Sequence, residues 1–431
     1  MNAVERPRCH RPPQVSRRGF LRQLLPAALA ASTVGSGTAD ARFAPFDRVM
    51  EEFMQRRKVP GGALAVVKDR RLVYVRGYGS AGSEDVGAVK AESLFRIASL
   101  TKPITAVAVL HLVEAGKLSL ATRVFDLVSP PPWVASGKTP DARLRSITVQ
   151  QLLAHTGGWD RDRSPDPMFQ SREIAAALGV PSPPRPLDII RYMLGQRLDF
   201  DPGTRFAYSN FGYCVLGRVI EQVTGRSYDG FVREAVLGPA GITRMRLGAS
   251  LRSARAPGEV CYCTRQPSQR PSVFADQPGL VAEPYGSFCL ESMDAHGGWL
   301  ASAVDLARFA SALENRARGA LLGAATFQSM YAPPPAPVAR QPDGRVQDHY
   351  YGCGWLVRPV GKAGEANYWH NGSLPGTYSL LVRRWDGLSW VVLFNQRSED
   401  PRLPDGAIDP ALHRAAAAVQ RWPDHDLFDR S

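Results

Sequence analysis

Ser99 and Lys102 stand three residues apart in Ala98-Ser99-Leu100-Thr101-Lys102-Pro103. A serine hydroxyl is too weak an acid to attack a carbonyl unaided and needs a base within hydrogen-bond reach. A lysine amine serves only when neutral, so its usual pKa of about 10.4 must be pulled down by burial or by nearby positive charge. On a helix, three residues make about one turn, and both side chains would leave the same face. A helix start adds two effects: its positive end disfavours an ammonium, and its unpaired N–H groups can receive a developing oxyanion. A solvent-facing lysine on an ordinary helix would show the same Ser-x-x-Lys spacing. The chain holds 7 lysines among its 53 basic residues, and Lys102 alone has a serine three positions before it.

Two more segments carry groups that could complete such a site. Tyr208-Ser209-Asn210 follows Asp201-Pro202-Gly203-Thr204 and reads as a loop ahead of a helix. Tyr208 could relay a proton, and Asn210 could bridge the lysine and a substrate amide. Simple turn chemistry accounts for the same residues. His370-Asn371-Gly372-Ser373 is expected just ahead of a strand; Gly372 would let a substrate backbone lie alongside, and the Ser373 N–H could donate to an oxyanion. His155-Thr156-Gly157 and His296-Gly297-Gly298 share the His-x-Gly pattern, in which a histidine can simply cap a turn. His370 differs from them in lying among strands beyond the tyrosine segment.

The elements that would hold these groups follow from periodicity. An apolar stripe at Phe46, Val49, Met50 and Phe53 predicts a helix over about 44–57. Ala63 to Val67 and Leu72 to Val75, joined at Asp69-Arg70, predict a hairpin. Ile104, Val107, Leu110 and Leu112 predict a helix running from Ser99 towards Gly116, with Pro103 harmless in its first turn. Between about 118 and 296 the pattern is helical, clearest at 149–154, 186–194 and 212–224, with proline clusters read as surface loops. Strand patterns return at 355–357, 379–382 and 390–394, and a helix over about 406–421 follows. The expectation is an α+β fold: an antiparallel β-sheet flanked by helices, its strands drawn from about 42–117 and 297–431, with a mainly helical insertion at about 118–296.

Residues 1–41 read differently. Ser16-Arg17-Arg18-Gly19-Phe20-Leu21, a short apolar run and Ala39-Asp40-Ala41 form a twin-arginine export signal, which predicts a periplasmic or secreted protein. No later apolar run approaches the roughly 20 residues of a membrane span. The formal charge of +13 comes from dispersed arginines interleaved with acids, without aromatic-interleaved basic runs, which argues against nucleic-acid binding. Cys261-Tyr262-Cys263 lacks zinc spacing, and the 8 histidines include no His-Glu-x-x-His pair, so no metal or other cofactor is expected. Gly137-Lys138-Thr139 is not a phosphate loop, because Pro132 fills the position that needs glycine.

Taken in order, Ser-x-x-Lys at a helix start, Tyr-Ser-Asn, then His-x-Gly-Ser late in the chain resembles the serine β-lactamase-like superfamily. The similar branch contains class C β-lactamases, serine D,D-carboxypeptidases, D-amino-acid peptidases and esterases. Gly61-Gly62, Leu152 to Gly158, Phe200 to Gly212 and Gly297 to Phe309 extend the resemblance over most of the chain. It implies Ser99 as acylated nucleophile, Lys102 as base, Tyr208 as proton shuttle, Asn210 as substrate-positioning group, and an oxyanion hole from the Ser99 and Ser373 N–H groups. His370 stands where many relatives carry the lysine of Lys-Thr-Gly, which argues against efficient β-lactamase activity. The implied function is an exported serine hydrolase acting on an ester or a D-amino-acid-type amide of a small molecule or peptide. The alternatives are a weak β-lactamase and a catalytically idle protein that binds a peptidoglycan-derived ligand.

Overall fold

The structure is a computed structural model that describes residues 40–82, 87–314, 321–340, 344–361 and 364–430. The expected leader lies outside them except for its last two residues. Seven antiparallel strands form the central sheet: β1 (Gly61–Lys68), β2 (Arg71–Gly79), β3 (Tyr350–Tyr351), β4 (Leu356–Pro359), β5 (Ala366–Leu374), β6 (Thr377–Arg383) and β7 (Leu388–Phe394). Their order is β2-β1-β7-β6-β5-β4-β3, so the first hairpin docks on the last strand, with Gly62 opposite Phe394 and Lys68 opposite Leu388. Asp69 and Arg70 both take left-handed backbone angles (φ 49° and 69°), the geometry of a tight two-residue hairpin turn.

Side chains alternate between two cores, as a strand's period of two requires. Leu64, Val66, Leu380, Trp390 and Val392 join a smaller core with α1 (Ala44–Arg57) and α5 (Ile408–Ala417). Ala63, Ala65, Val67, Leu381, Val391 and Leu393 face the larger core, which includes α2 (Thr101–Glu114), α3 (Asn210–Thr224) and α4 (Ala303–Glu314). Apart from Val113, every apolar residue of α2 is buried, so this helix runs through the interior and α3 packs against it. Shorter helices at Val149–Leu153, Ser171–Leu178 and Pro186–Met193 complete the helical side.

Four details differ from the sequence reading. Residues 370–373 lie inside β5 rather than ahead of a strand; this polar run lacks the apolar alternation that marks strands. Asn210 is the first residue of α3, capped by the Ser209 hydroxyl, which accepts from the Gly212 N–H at 3.2 Å. Short strands at Arg246–Leu247, Gln269–Pro271, Leu280–Ala282 and Trp299–Ala301 have too few residues to show a period. The last helix is shorter than expected, preceded by a single tight turn at Asp405–Ala407.

The loop between β3 and β4 clamps the start of α2. Gly354 has φ +81°, and a Cβ there would lie 2.7 Å from the Ala106 Cβ and 3.1 Å from the Lys102 carbonyl oxygen. Gly354→Ala therefore combines a left-handed backbone with overpacking and should destabilise the fold by about 2 kcal/mol. Urea denaturation followed by circular dichroism checks this; an unchanged midpoint would mean that the loop does not bear on α2.

Candidate active site

The chain reaches Ser99 under tension from both sides. On β6, the Thr377 hydroxyl donates to the Arg96 carbonyl at 2.9 Å and the Ser379 hydroxyl donates to the Ile97 carbonyl at 2.7 Å. The Ile97 N–H is held by the Trp299 carbonyl at 3.0 Å. Ala98 then takes φ +48°, a left-handed conformation that costs a non-glycine residue about 1 kcal/mol. Ser99 follows in a single tight turn, Ala98–Leu100, that runs directly into α2. Its N–H is at the opening of a helical stretch, where donors have no intrahelical acceptor.

Lys102, one turn on, is fully buried. Its Nζ lies 3.0 Å from Ser99 Oγ, 2.7 Å from Asn210 Oδ1 and 2.9 Å from the His296 carbonyl oxygen. An ammonium would donate to all three. A neutral amine donates two hydrogens, to Asn210 and His296, and turns its lone pair to the Ser99 hydroxyl. Burial drives the Lys102 pKa well below the usual lysine range; the Asp166 carboxylate opposes this and the Arg161 guanidinium assists. Asp166 also fixes Asn210, accepting from its Nδ2 at 2.7 Å, so the amide must present its oxygen to the lysine.

Tyr208 completes the cluster beside Ser99, and burial pushes its pKa above the usual phenol value. At neutral pH Tyr208 therefore holds its proton. The Lys102 Nζ and the Arg161 guanidinium lie 4.8 Å and 4.7 Å from the Tyr208 ring centre. The buried His155 packs on the same tyrosine, with ring centres 4.2 Å apart. His155 Nδ1 accepts from the Ser209 N–H at 3.2 Å, which puts its proton on Nε2.

His370 is neutral as well. Its Nδ1 donates to the Asn371 carbonyl at 2.7 Å, and its Nε2 accepts from the Tyr351 hydroxyl at 2.9 Å. Burial, with the Lys102 charge, pushes its pKa down to about 3. It thus offers no positive charge where a lysine would. Gly372 explains how β5 can touch the nucleophile turn: a Cβ there would meet the Ile97 carbonyl oxygen at 2.2 Å and the Ser99 nitrogen at 2.9 Å. β4 pairs with β5 only as far as Trp369, leaving the edge beyond it open. The Val360 N–H bonds to the Glu365 carbonyl, and alternation from that pair aims the N–H groups of 367, 369, 371 and 373 at this edge. The Ser373 side chain is exposed on the opposite face, beside Asp405 and Asp409. Only its backbone can serve the site.

Ser99, Lys102 and Asn210 thus converge within hydrogen-bond reach, with Tyr208, His370 and Gly372 alongside. Asp166, Tyr351, Arg161 and the His296 carbonyl were not legible locally. His155 and His296, which share the His-x-Gly pattern with His370, both sit at this cluster. Among the described residues there is no disulfide and no group of three or more metal-ligating side chains.

The Beta-lactamase family model matches residues 46–414. Penicillin-binding protein 4* of Bacillus subtilis is 25% identical over 361 residues, covering 82% of this chain and 71% of its own. A probable fimbrial assembly protein FimD of Dichelobacter nodosus is 31% identical over 182 residues, and the chain spans only 42% of that relative's length. Among solved structures, an octameric penicillin-binding protein homologue from Pyrococcus abyssi matches with TM-score 0.63 and 24% identity over 88% of this chain and 78% of that one. SurE with D-Leu matches with TM-score 0.59 and 25% identity over 89% of this chain and 78% of its own. The fold and the family match together establish that the chain belongs to the Beta-lactamase family.

Proposed function

We propose that this protein is a serine acyl-hydrolase that forms an acyl-enzyme on Ser99. The observation that carries the reading is Ser99 Oγ at 3.0 Å from a fully buried lysine amine. Neutral Lys102 takes the hydroxyl proton as Oγ adds to the substrate carbonyl. The carbonyl oxygen becomes an oxyanion, received by the N–H groups of Ser99 and Ser373. Tyr208 passes a proton to the leaving group, the carbon–heteroatom bond breaks, and Lys102 returns a proton to Tyr208. Water, activated by the same pair, then hydrolyses the ester on Ser99. Asn210 holds Lys102 and meets the substrate amide.

An ester or a D-configured amide of a small molecule or peptide is the substrate class we favour, supported by the names of relatives: a penicillin-binding protein and a protein crystallised with D-Leu. A neutral His370 is consistent with weak action on β-lactams. We further infer that residues 1–41 export the protein and are removed, and that 42–431 form the catalytic unit.

A fluorophosphonate probe tests the reading: intact mass should show one label per chain, lost in Ser99→Ala. A folded protein that stays unlabelled would leave only the ligand-binding alternative, in which the cleft holds a peptidoglycan-derived molecule. The pH profile gives an independent check. Neutral Lys102 is the active form and burial lowers its pKa, so kcat/KM for an uncharged ester should level off well below pH 10 and fall on the acid side of that point. An unperturbed lysine would instead give a rate that climbs tenfold per pH unit up to about pH 10. A slope of one persisting through pH 9 would discard Lys102 as base.

A further inference from the structure

Cys261 and Cys263 take no part in the site described, yet both line one cavity of about 690 Å³ beside the ends of β2 and β7. Arg252 lines it too, and the Arg255 guanidinium lies against the Cys261 sulfur. Cys261 is buried, Cys263 is half-buried, and neither is in a disulfide. Burial raises the Cys263 pKa, the neighbouring Cys261 adds to this, and Arg252 opposes it. Two residues of chain span at most about 7 Å. A bend at the residue between them is therefore enough to bring two Cα atoms within the roughly 4.4–6.8 Å that a disulfide bridges.

That middle residue, Tyr262, reaches the chain that carries the nucleophile. Its buried hydroxyl accepts from the Arg96 N–H at 2.8 Å and donates to Glu259 at 2.7 Å, while Thr377 grips the carbonyl of the same Arg96. The Arg96 guanidinium lies over the Tyr262 ring, 4.5 Å from its centre. The flanking N–H groups are tied down, that of Cys261 to the Ala81 carbonyl at 2.7 Å and that of Cys263 to the Asn395 carbonyl at 3.0 Å. Bending between such anchors falls on Tyr262. We infer that Cys261 and Cys263 form a dithiol–disulfide pair, and that closing it slows acylation of Ser99 by displacing Tyr262 from Arg96. One thiolate of the pair attacks an external disulfide, of a small molecule or a protein, forming a mixed disulfide and releasing a thiolate; the second cysteine, having lost its proton, displaces the remaining half. Two S–H bonds are lost, one S–S bond forms within the chain, and the external disulfide leaves as two thiols. Only the effect on Ser99 rests on the acyl-enzyme reading.

The full-length protein, reduced and then equilibrated with oxidised glutathione at about pH 8.5, where thiolates form, is read in two ways. Intact mass should fall by two hydrogens, and the bridge should map to the tryptic peptide 256–265, whose two cysteines then resist alkylation. Fluorophosphonate labelling of Ser99 should slow about tenfold, since a displacement of about 1 Å can cost on the order of 100-fold, and dithiothreitol should restore it. Cys261→Ser and Cys263→Ser should escape both the bridge and the slowing, whereas Cys289→Ser should show both. Where a serine variant misfolds, mass and labelling of the unsubstituted protein decide alone. A lasting glutathione adduct, or two thiols that still alkylate after equilibration, overturns the pair. A bridge that leaves the labelling rate unchanged, or slowing that persists in both serine variants, overturns the link to Ser99. Ser99 that never labels, even in the reduced protein, defeats the acyl-enzyme reading, and the bridge is then judged by mass.

Discussion

Everything in the site depends on one amine buried without a counter-ion in contact. Sealing a charged ammonium from water costs several kcal/mol, and the cheaper outcome is loss of its proton. The three acceptors around Lys102 make that outcome useful. Two are fixed: Asn210 by Asp166, and the His296 carbonyl by the anchored segment just before it. There the Thr105 hydroxyl donates to the Ala295 carbonyl at 2.7 Å, and Arg218 pairs with Asp294 at 2.6 Å. The third acceptor is the serine hydroxyl, the only one of the three that can give a proton back.

Two of the six non-glycine residues with positive φ among the described residues fall at this cluster. Ala98 and His155 are non-glycine residues in left-handed conformations, and both touch the cluster. Such conformations persist only where surroundings over-determine them. For Ala98 the surroundings are the hydroxyls of Thr377 and Ser379 and the bare backbone of Gly372, all from the adjoining strands. The sheet therefore acts as a jig for the turn that carries Ser99 as well as a wall of the cleft.

How much of this could be read from sequence depended on distance along the chain. Ser99 and Lys102 are one turn apart and Tyr208 and Asn210 are two residues apart, so local spacing disclosed them. β1, β2, β6 and β7 showed because apolar runs of four or more residues leave a pattern; the polar run of β5 and the two- and three-residue strands leave none. The charge state of His370 is set by Tyr351, 19 residues earlier, and by burial, neither visible in a His-x-Gly pattern. Asp166 reaches Asn210 across 44 residues, from a loop whose composition marks only a turn. His155 and His296 share the motif with His370 because it specifies a local shape, whereas the site that gathers all three is assembled by tertiary packing.

The docking of the first hairpin on the last strand has a consequence for when the protein becomes reactive. Contacts between residues more than 300 positions apart raise the contact order and slow folding, since loop closure must precede any gain from pairing. The hydroxyls that hold the residues before Ser99 belong to β6, which is made nearly last. A nascent chain emerging from the ribosome thus carries Ser99 and Lys102 long before it carries the strand whose hydroxyls hold the approach to Ser99 against the sheet.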